Sequence, residues 1–256
     1  MIYGSFCPKL SQKHFKKNST KFMIENYYKW HSPALDREIE MQVFGDKGMP
    51  VIAFPTSMGR YNQNKDFKLI ESAAWFIDNG LIKIYCIDSI DELSWYNKEV
   101  HPSTRAYNHS CYDNMIHNEL VPRAKAETGH NKVITAGCSF GGYQAANYAF
   151  KHPENVVAMI SMGAKFSIID QVDGYYDDTI YYNNPPDFMP ANYHPDLWNM
   201  KIFLGTAEGD MCLESNEEMS KILHSKGIDH WFDVRSWGGH DWPIWREMFP
   251  HYLSLI

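Results

Sequence analysis

The 256-residue chain has no run of eighteen apolar residues, which excludes a membrane-spanning helix of ordinary length. It also lacks HExxH, a CxxC pair, GxxxxGK[ST] and GxGxxG. Zinc, phosphate-loop and dinucleotide chemistry therefore have no anchor, and the expectation is an activity with no metal and no cofactor. Cysteine is scarce. Cys7, Cys86, Cys111, Cys138 and Cys212 are odd in number and widely spaced, so reduced thiols and a cytoplasmic setting are expected rather than a disulfide framework. Basic residues are the minority, with 24 Lys and Arg against 31 Asp and Glu and a net charge of −7. Outside the N-terminal tail no Lys/Arg-dense stretch exists, which argues against nucleic acid as a partner. The basic N-terminus has neither an uninterrupted apolar core nor a small-residue cleavage site, so it does not read as a standard signal peptide. Residues 1–22 are expected to be an irregular tail.

What remains is the composition of an ordinary soluble protein, 44% hydrophobic and 21% charged, with a high aromatic share of 15%. One domain over 1–256 is expected, and a homo-oligomer is compatible with it. Alternation over Met23–Trp30 and Arg37–Phe44, followed by the turn Gly45-Asp-Lys-Gly48, predicts an antiparallel N-terminal hairpin. The short, wholly apolar strand Val51–Phe54 follows, then largely apolar ones at Leu81–Ile87, Val133–Ala136, Val156–Met162 and Lys201–Gly205, with His230–Trp237 the last. Helical patterns separate them: Phe67, Ile70, Ala74 and Ile77 on one face, then Tyr112, Met115, Ile116 and Leu120, then the helix after Ser139. Met219, Ile222 and Leu223 mark a further helix, and Trp242–Leu255 the last. Strand alternating with helix, and strands apolar on both faces, predict a doubly wound, mostly parallel sheet. Between Phe166 and Asn199 lies a passage crowded with Tyr, Pro and Trp that is too long for a plain connection, and it is read as a cap insertion over 166–199.

The chemistry centres on Gly137-Cys-Ser-Phe-Gly141, where a serine between glycines leaves a buried strand and enters a helix. That is the arrangement of a nucleophile elbow, in which the glycines let strand and helix approach closely. A serine hydroxyl attacks only when a base takes its proton and a third group orients the base. The loops after the two last strands supply both, Asp210 as the acid and His240 as the base, with Glu208 the rival two residues before Asp210. The other histidines read as surface or core residues, and Cys138 as a buried structural thiol. An attacked carbonyl also needs two preset N–H donors. Phe140, directly after the serine, is one; Pro55 has no N–H to give, which leaves Thr56, Ser57 or Met58 for the second, and Ser57 is chosen.

The elbow Gly137–Gly142, the loop Phe54-Pro-Thr-Ser57, the stretch Leu204–Asp210 and the segment Gly239-His-Asp-Trp-Pro-Ile-Trp245 together resemble the esterase family of α/β hydrolases that holds S-formylglutathione hydrolases, feruloyl and siderophore esterases and mycolyltransferases. The resemblance spans about 37–255. It implies an α/β-hydrolase fold, a Ser139–Asp210–His240 triad and a cofactor-free serine carboxylic-ester hydrolase working through an acyl-enzyme. One departure is that Pro55-Thr56 stands where the family commonly has His-Gly. The expected partner is a small ester, or an aromatic or carbohydrate-linked one, with Trp95, Tyr181 and Trp242 as candidate substrate contacts. The alternatives are an acyltransferase using the same acyl-enzyme and a catalytically silent protein on the same scaffold. A neutral His240 base predicts activity that falls on the acid side of an apparent pKa of about 7.

Overall fold

The computed structural model describes residues 23–256, so the tail read over 1–22 lies outside the described residues. Eight strands form one sheet: β1 (Glu25–Ser32), β2 (Arg37–Phe44), β3 (Met49–Phe54), β4 (Ile82–Ile87), β5 (Val133–Cys138), β6 (Val156–Met162), β7 (Lys201–Gly209) and β8 (Trp231–Gly239). Their order is β1-β2-β4-β3-β5-β6-β7-β8. The β1–β2 and β2–β4 pairs are antiparallel and the rest parallel. Five longer helices pack on it: α1 (Pro102–Met115), α2 (Val121–Thr128), α3 (Phe140–Lys151), α4 (Leu213–Ser225) and α5 (Trp242–Leu253).

Strand side chains alternate between two cores, because successive Cβ atoms point to opposite faces. Ile52, Phe54, Tyr85, Val133 and Met159 meet α1 to α4 on one face. Val51, Ala53, Ile84, Ile134 and Ile160 meet α5 and the segment around Leu69–Ile77 on the other. This two-sided burial is why β4 and β5 carry no exposed residue and read as unbroken apolar runs.

Several boundaries differ from the sequence reading. The helix expected through Phe67–Ile77 is three short pieces, Gln63–Asp66, Leu69–Ser72 and Ala74–Asp78. Lys68 breaks it with a left-handed φ of 64°, which leaves Phe67 outside and buries Leu69, Ile70, Ala73 and Ile77 instead. The helix expected from Tyr112 starts ten residues earlier at Pro102, where His101 caps it by accepting from the Ser103 amide. β1 lies two residues later than read. β7 runs on to Gly209 because it keeps pairing with β8, so Thr206–Glu208 are strand rather than loop.

The 166–199 passage is a string of short helical turns, from Ile169–Gln171 to Pro195–Trp198. Ile168, Val172 and Ile180 anchor it in a cluster with Trp95, Ala106, Phe140 and Tyr143. The buried Arg105 guanidinium donates to the Gln171 carbonyl and the Asp173 carboxylate at 2.7 and 2.6 Å. Through Phe140 this passage touches the N-terminal end of α3.

Candidate active site

The parallel strands deliver their C-terminal ends to one edge of the sheet, and the chemistry-bearing residues of the sequence reading collect there. Ser139 follows β5 at φ 54° and ψ −125°, a left-handed turn that its amide secures by donating to the Met162 carbonyl at 2.8 Å. The strain persists because strand and helix leave no room for an alternative. A Cβ on Gly137 would sit 2.1 Å from the Gly141 carbonyl oxygen, and one on Gly141 would sit 2.4 Å from that of Pro55.

Asp210 lies just beyond β7 and His240 just beyond β8. The Asp210 carboxylate accepts from His240 Nδ1 at 2.9 Å and from the Cys212 amide at 2.8 Å. With Nδ1 donating to a carboxylate, Nε2 is the accepting nitrogen, and the Ser139 hydroxyl donates to it at 2.8 Å. The structure thus brings Ser139, His240 and Asp210 into one hydrogen-bonded chain. Glu208, the rival acid, is exposed on β7.

Electrostatics follow this geometry. The hydrogen bonds that the His240 ring makes with the Asp210 carboxylate, which accepts from it, and with the nearby Cys212 thiol, together with the Asp210 charge, raise the His240 imidazole from 6.5 to about 9, against the opposing effect of burial. Burial by itself would raise the Asp210 carboxyl, but the His240 and Cys212 hydrogen bonds outweigh it and hold it below the usual range. Gly163 makes room for the pair. At φ 63° its missing Cβ would fall 2.7 Å from Asp210 Oδ2 and 3.3 Å from His240 Nδ1. Trp245 stands edge-on to the His240 ring at 5.1 Å.

The loop after β3 places its amides selectively. The Thr56 amide donates to Gln63 Oε1 and the Met58 amide to Asp91 Oδ2, both at 2.8 Å. Among the described residues the Ser57 amide has no acceptor, and neither has that of Phe140. Met58 reaches its position at φ 56°, and Tyr96 steadies the loop by donating its hydroxyl to Ser57 Oγ at 2.7 Å. Gln63, Asp91 and Tyr96 were not singled out from the sequence. Asp91 is a lone carboxyl after a buried strand with no telling spacing, and only the fold carries it to the Met58 amide. Burial raises its carboxyl to about 7.

The candidate substrate contacts stand differently. Trp95 is 0% exposed, enclosed by His109 and the cluster beneath Phe140, and it has no surface to offer a ligand. Tyr181 lines a cavity with Lys151 and His152 at the C-terminal end of α3, about 18 Å of helix away from Ser139. Trp242 is nearly buried, stacked on Phe67 at 4.7 Å and edge-on to Trp245. Packing claims Trp95 and Trp242 for the interior, and Tyr181 stands at a cavity away from Ser139. An apolar cavity of about 700 Å³ between Met49, Trp75, Leu81 and Leu253 opens at the opposite end of the sheet and includes none of the site residues. Cys138 is buried beside Ser139, and burial pushes its thiol well up, as befits a packing residue. Cys86, Cys111, Cys138 and Cys212 are all unbridged. Among the described residues no helix is long and apolar enough to cross a membrane.

Comparison with known proteins agrees with this architecture. A family profile described as the alpha/beta hydrolase fold matches residues 100–206. A ferulic acid esterase superposes with a TM-score of 0.74 at 18% identity, covering 91% of this chain and 97% of its own. An S-formylglutathione hydrolase from Staphylococcus aureus gives 0.69 at 13%, covering 91% and 98%. A ferulic acid esterase from the anaerobic fungus Anaeromyces mucronatus gives 0.64 at 14%, covering 97% and 95%. No curated protein matches by sequence. The chain has the α/β-hydrolase fold, with an eight-stranded, mostly parallel sheet and an antiparallel N-terminal hairpin. The structures it resembles over nearly their whole length are esterases.

Proposed function

We propose that the protein is a serine carboxylic-ester hydrolase with Ser139 as nucleophile, His240 as general base and acid, and Asp210 as the group that orients the imidazole. The observation that carries this reading is the chain Ser139 Oγ to His240 Nε2 at 2.8 Å and His240 Nδ1 to Asp210 Oδ1 at 2.9 Å. Neutral His240 takes the hydroxyl proton as Ser139 Oγ bonds to the ester carbonyl carbon. The oxyanion is met by the Phe140 and Ser57 amides, neither of which has an acceptor among the described residues. Collapse expels the alcohol with the proton from His240 and leaves the acyl-enzyme. Water, deprotonated by the same imidazole, then attacks the acyl carbon, and Ser139 leaves with that proton. No metal or cofactor takes part in this sequence.

The exposed side chains of Met58 and Met211 adjoin the oxyanion donor and the acid along the chain, and such flexible apolar residues suit a small or aromatic acyl or alcohol group. A panel of nitrophenyl esters graded by acyl length, run on the wild type and Ser139→Ala, tests the proposal. Hydrolysis should fall by about 10³-fold or more in the variant, and a fluorophosphonate should label Ser139. An unlabelled serine with no ester turnover would refute it.

A further inference from the structure

At the far end of α3 a second group of ionisable side chains takes no part in the chemistry above. His117, His152 and Glu154 each offer one ligand atom, and the three atoms lie within 4.8 Å of one another. We propose that these residues bind a divalent transition-metal cation, Zn²⁺ being the natural match for two imidazoles and a carboxylate.

The local structure is arranged in a way that general packing does not require. His117 sits in a single π-helical turn, Ile116–Leu120, between α1 and α2. Pro122 explains that turn: it has no N–H for the Asn118 carbonyl, and the Val121 amide bonds five residues back to Ile116 instead. The wide turn brings the His117 ring face to face with His152, centroids 4.3 Å apart at 29°. Two imidazoles so placed cannot both be charged without repulsion. His117 has only a long 3.5 Å approach from the Tyr148 hydroxyl, too weak to count as a firm hydrogen bond.

His152 is oriented from behind. Its Nε2 donates to Asp113 Oδ2 at 3.0 Å, which leaves Nδ1 as the free nitrogen. A carboxylate behind a histidine fixes tautomer and ring orientation and raises ligand basicity, as it does in established metal sites. The neighbouring cations are already engaged, Lys151 with Asp113 at 3.1 Å and Asn183 at 3.0 Å, and Lys125 with Asn155 at 2.5 Å. Glu154 has its nearest cationic partner in His194 at 3.8 Å. Tetrahedral Zn²⁺ needs ligand atoms about 3.3 Å apart and in the plane of each imidazole, so closure asks the atoms to approach by about 1.5 Å and the two stacked rings to turn out of their face-to-face arrangement. Three protein ligands leave one position for water or a small anion. A cavity of about 430 Å³ lies beside His152.

The test uses tag-free, chelator-treated full-length protein titrated with Zn²⁺ by calorimetry and with Co²⁺ by visible absorption. One ion per chain is expected, with the absorption of tetrahedral cobalt. Binding should be lost in His117→Ala and His152→Ala and should weaken about 10–100-fold in Asp113→Asn, a change at a residue that holds His152 and Lys151 but is not itself a ligand. At a hundredfold excess of Zn²⁺ over its Kd the wild type should gain about 5–10 °C in Tm and His152→Ala nothing. Asp210, Cys212 and His240 also cluster within 4.8 Å, so Cys212→Ser is the control and should bind as the wild type does. No stoichiometric binding, or binding that survives the His117→Ala/His152→Ala double variant, would overturn the proposal. So would binding abolished by Cys212→Ser.

Discussion

Replacing Asp210 with Asn separates an acid that orients the base from one that merely lies near it. The rise of His240 from 6.5 to about 9 corresponds to about 3 kcal/mol of preference for the imidazolium. Asp210 supplies its largest part through the 2.9 Å hydrogen bond, with Cys212 adding to it and burial opposing. The His240 and Asp210 side chains are 17% and 1% exposed, so solvent screening takes little of this away. The imidazolium forms in the transition state, and on the plateau above about pH 9, where the wild-type base is neutral, losing that support alone costs about 10²-fold in kcat/KM, a loss that the variant's larger neutral fraction offsets at pH 7. The Asn side chain can also donate to Nδ1 and so favour the wrong tautomer, which carries the loss to about 10³–10⁴-fold. The pH profile supplies the second readout. In the wild type the neutral base is about one part in a hundred at pH 7, and kcat/KM should climb close to tenfold per unit until about pH 9. This replaces the acid limb near 7 that a bare histidine would give. In Asp210→Asn the carboxylate's upward influence is gone while burial remains, so the acid limb should move down to about 6.5 or below. Glu208→Gln should change neither rate nor profile. An Asp210→Asn variant with an unmoved limb, or a Glu208→Gln variant that reproduces its loss, would refute the reasoning.

Three further outcomes are expected. Gly163→Ala puts a Cβ 2.7 Å from Asp210 Oδ2 at a φ of 63°, so steady-state assays should show kcat down by at least about tenfold together with a lower Tm. Ser57→Ala keeps the backbone N–H and removes only the acceptor for Tyr96; kcat/KM should stay within about fivefold, and a collapse like that of Ser139→Ala would show the hydroxyl, not the amide, to matter. His109 is buried with its Nδ1 unpartnered, and burial depresses its pKa from 6.5 to about 3. The unfolded chain therefore binds the extra proton across that window, and stability falls as pH drops below 6.5, by about 2 kcal/mol at pH 5. His109→Gln should flatten the fall in Tm between pH 7 and 5 by about 4–8 °C in calorimetry, and an unchanged slope would exclude His109 as its source.

The order of strands was legible because burial on both faces writes itself as unbroken apolar runs, and β4, β5 and β6 stand close to where those runs lie. Elements that owe their shape to one backbone angle were not. Lys68 in the left-handed region breaks the helix over 67–77, although nothing in its type announces it. The same holds for the end of β7, which pairing with β8 extends past the point where apolar character stops. Positions of Ser139, Asp210 and His240 could be read because each follows a recognisable strand, and the fold brings strand ends together without further instruction. Trp95, Tyr181 and Trp242 could not be assigned in this way. An aromatic residue looks the same in a sequence whether it faces a ligand or fills a core, and only packing separates the two.

The loop after β3 shows how far such reading reaches. Three amides were candidates for the second oxyanion donor, and sequence offered no physical ground for choosing among them beyond excluding Pro55. The choice depends on which amides the protein has already used. Gln63, nine residues beyond Phe54, takes Thr56, and Asp91, beyond β4, takes Met58. What remains is the Ser57 amide, available because its neighbours are occupied. A donor kept free in this way costs little to present, since the bonds on either side hold its direction and no internal acceptor has to be given up when an oxyanion forms. Asp91 therefore belongs to the machinery although it touches no substrate. Asp91→Asn preserves the acceptor that Met58 needs, whereas Asp91→Ala frees that amide and loosens the turn. If the loop works as described, Asp91→Ala should lower kcat by about 10-fold or more with KM nearly unchanged, and Asp91→Asn should restore most of it. Equal losses in the two variants would mean that the carboxylate charge, not the held amide, is what the site requires.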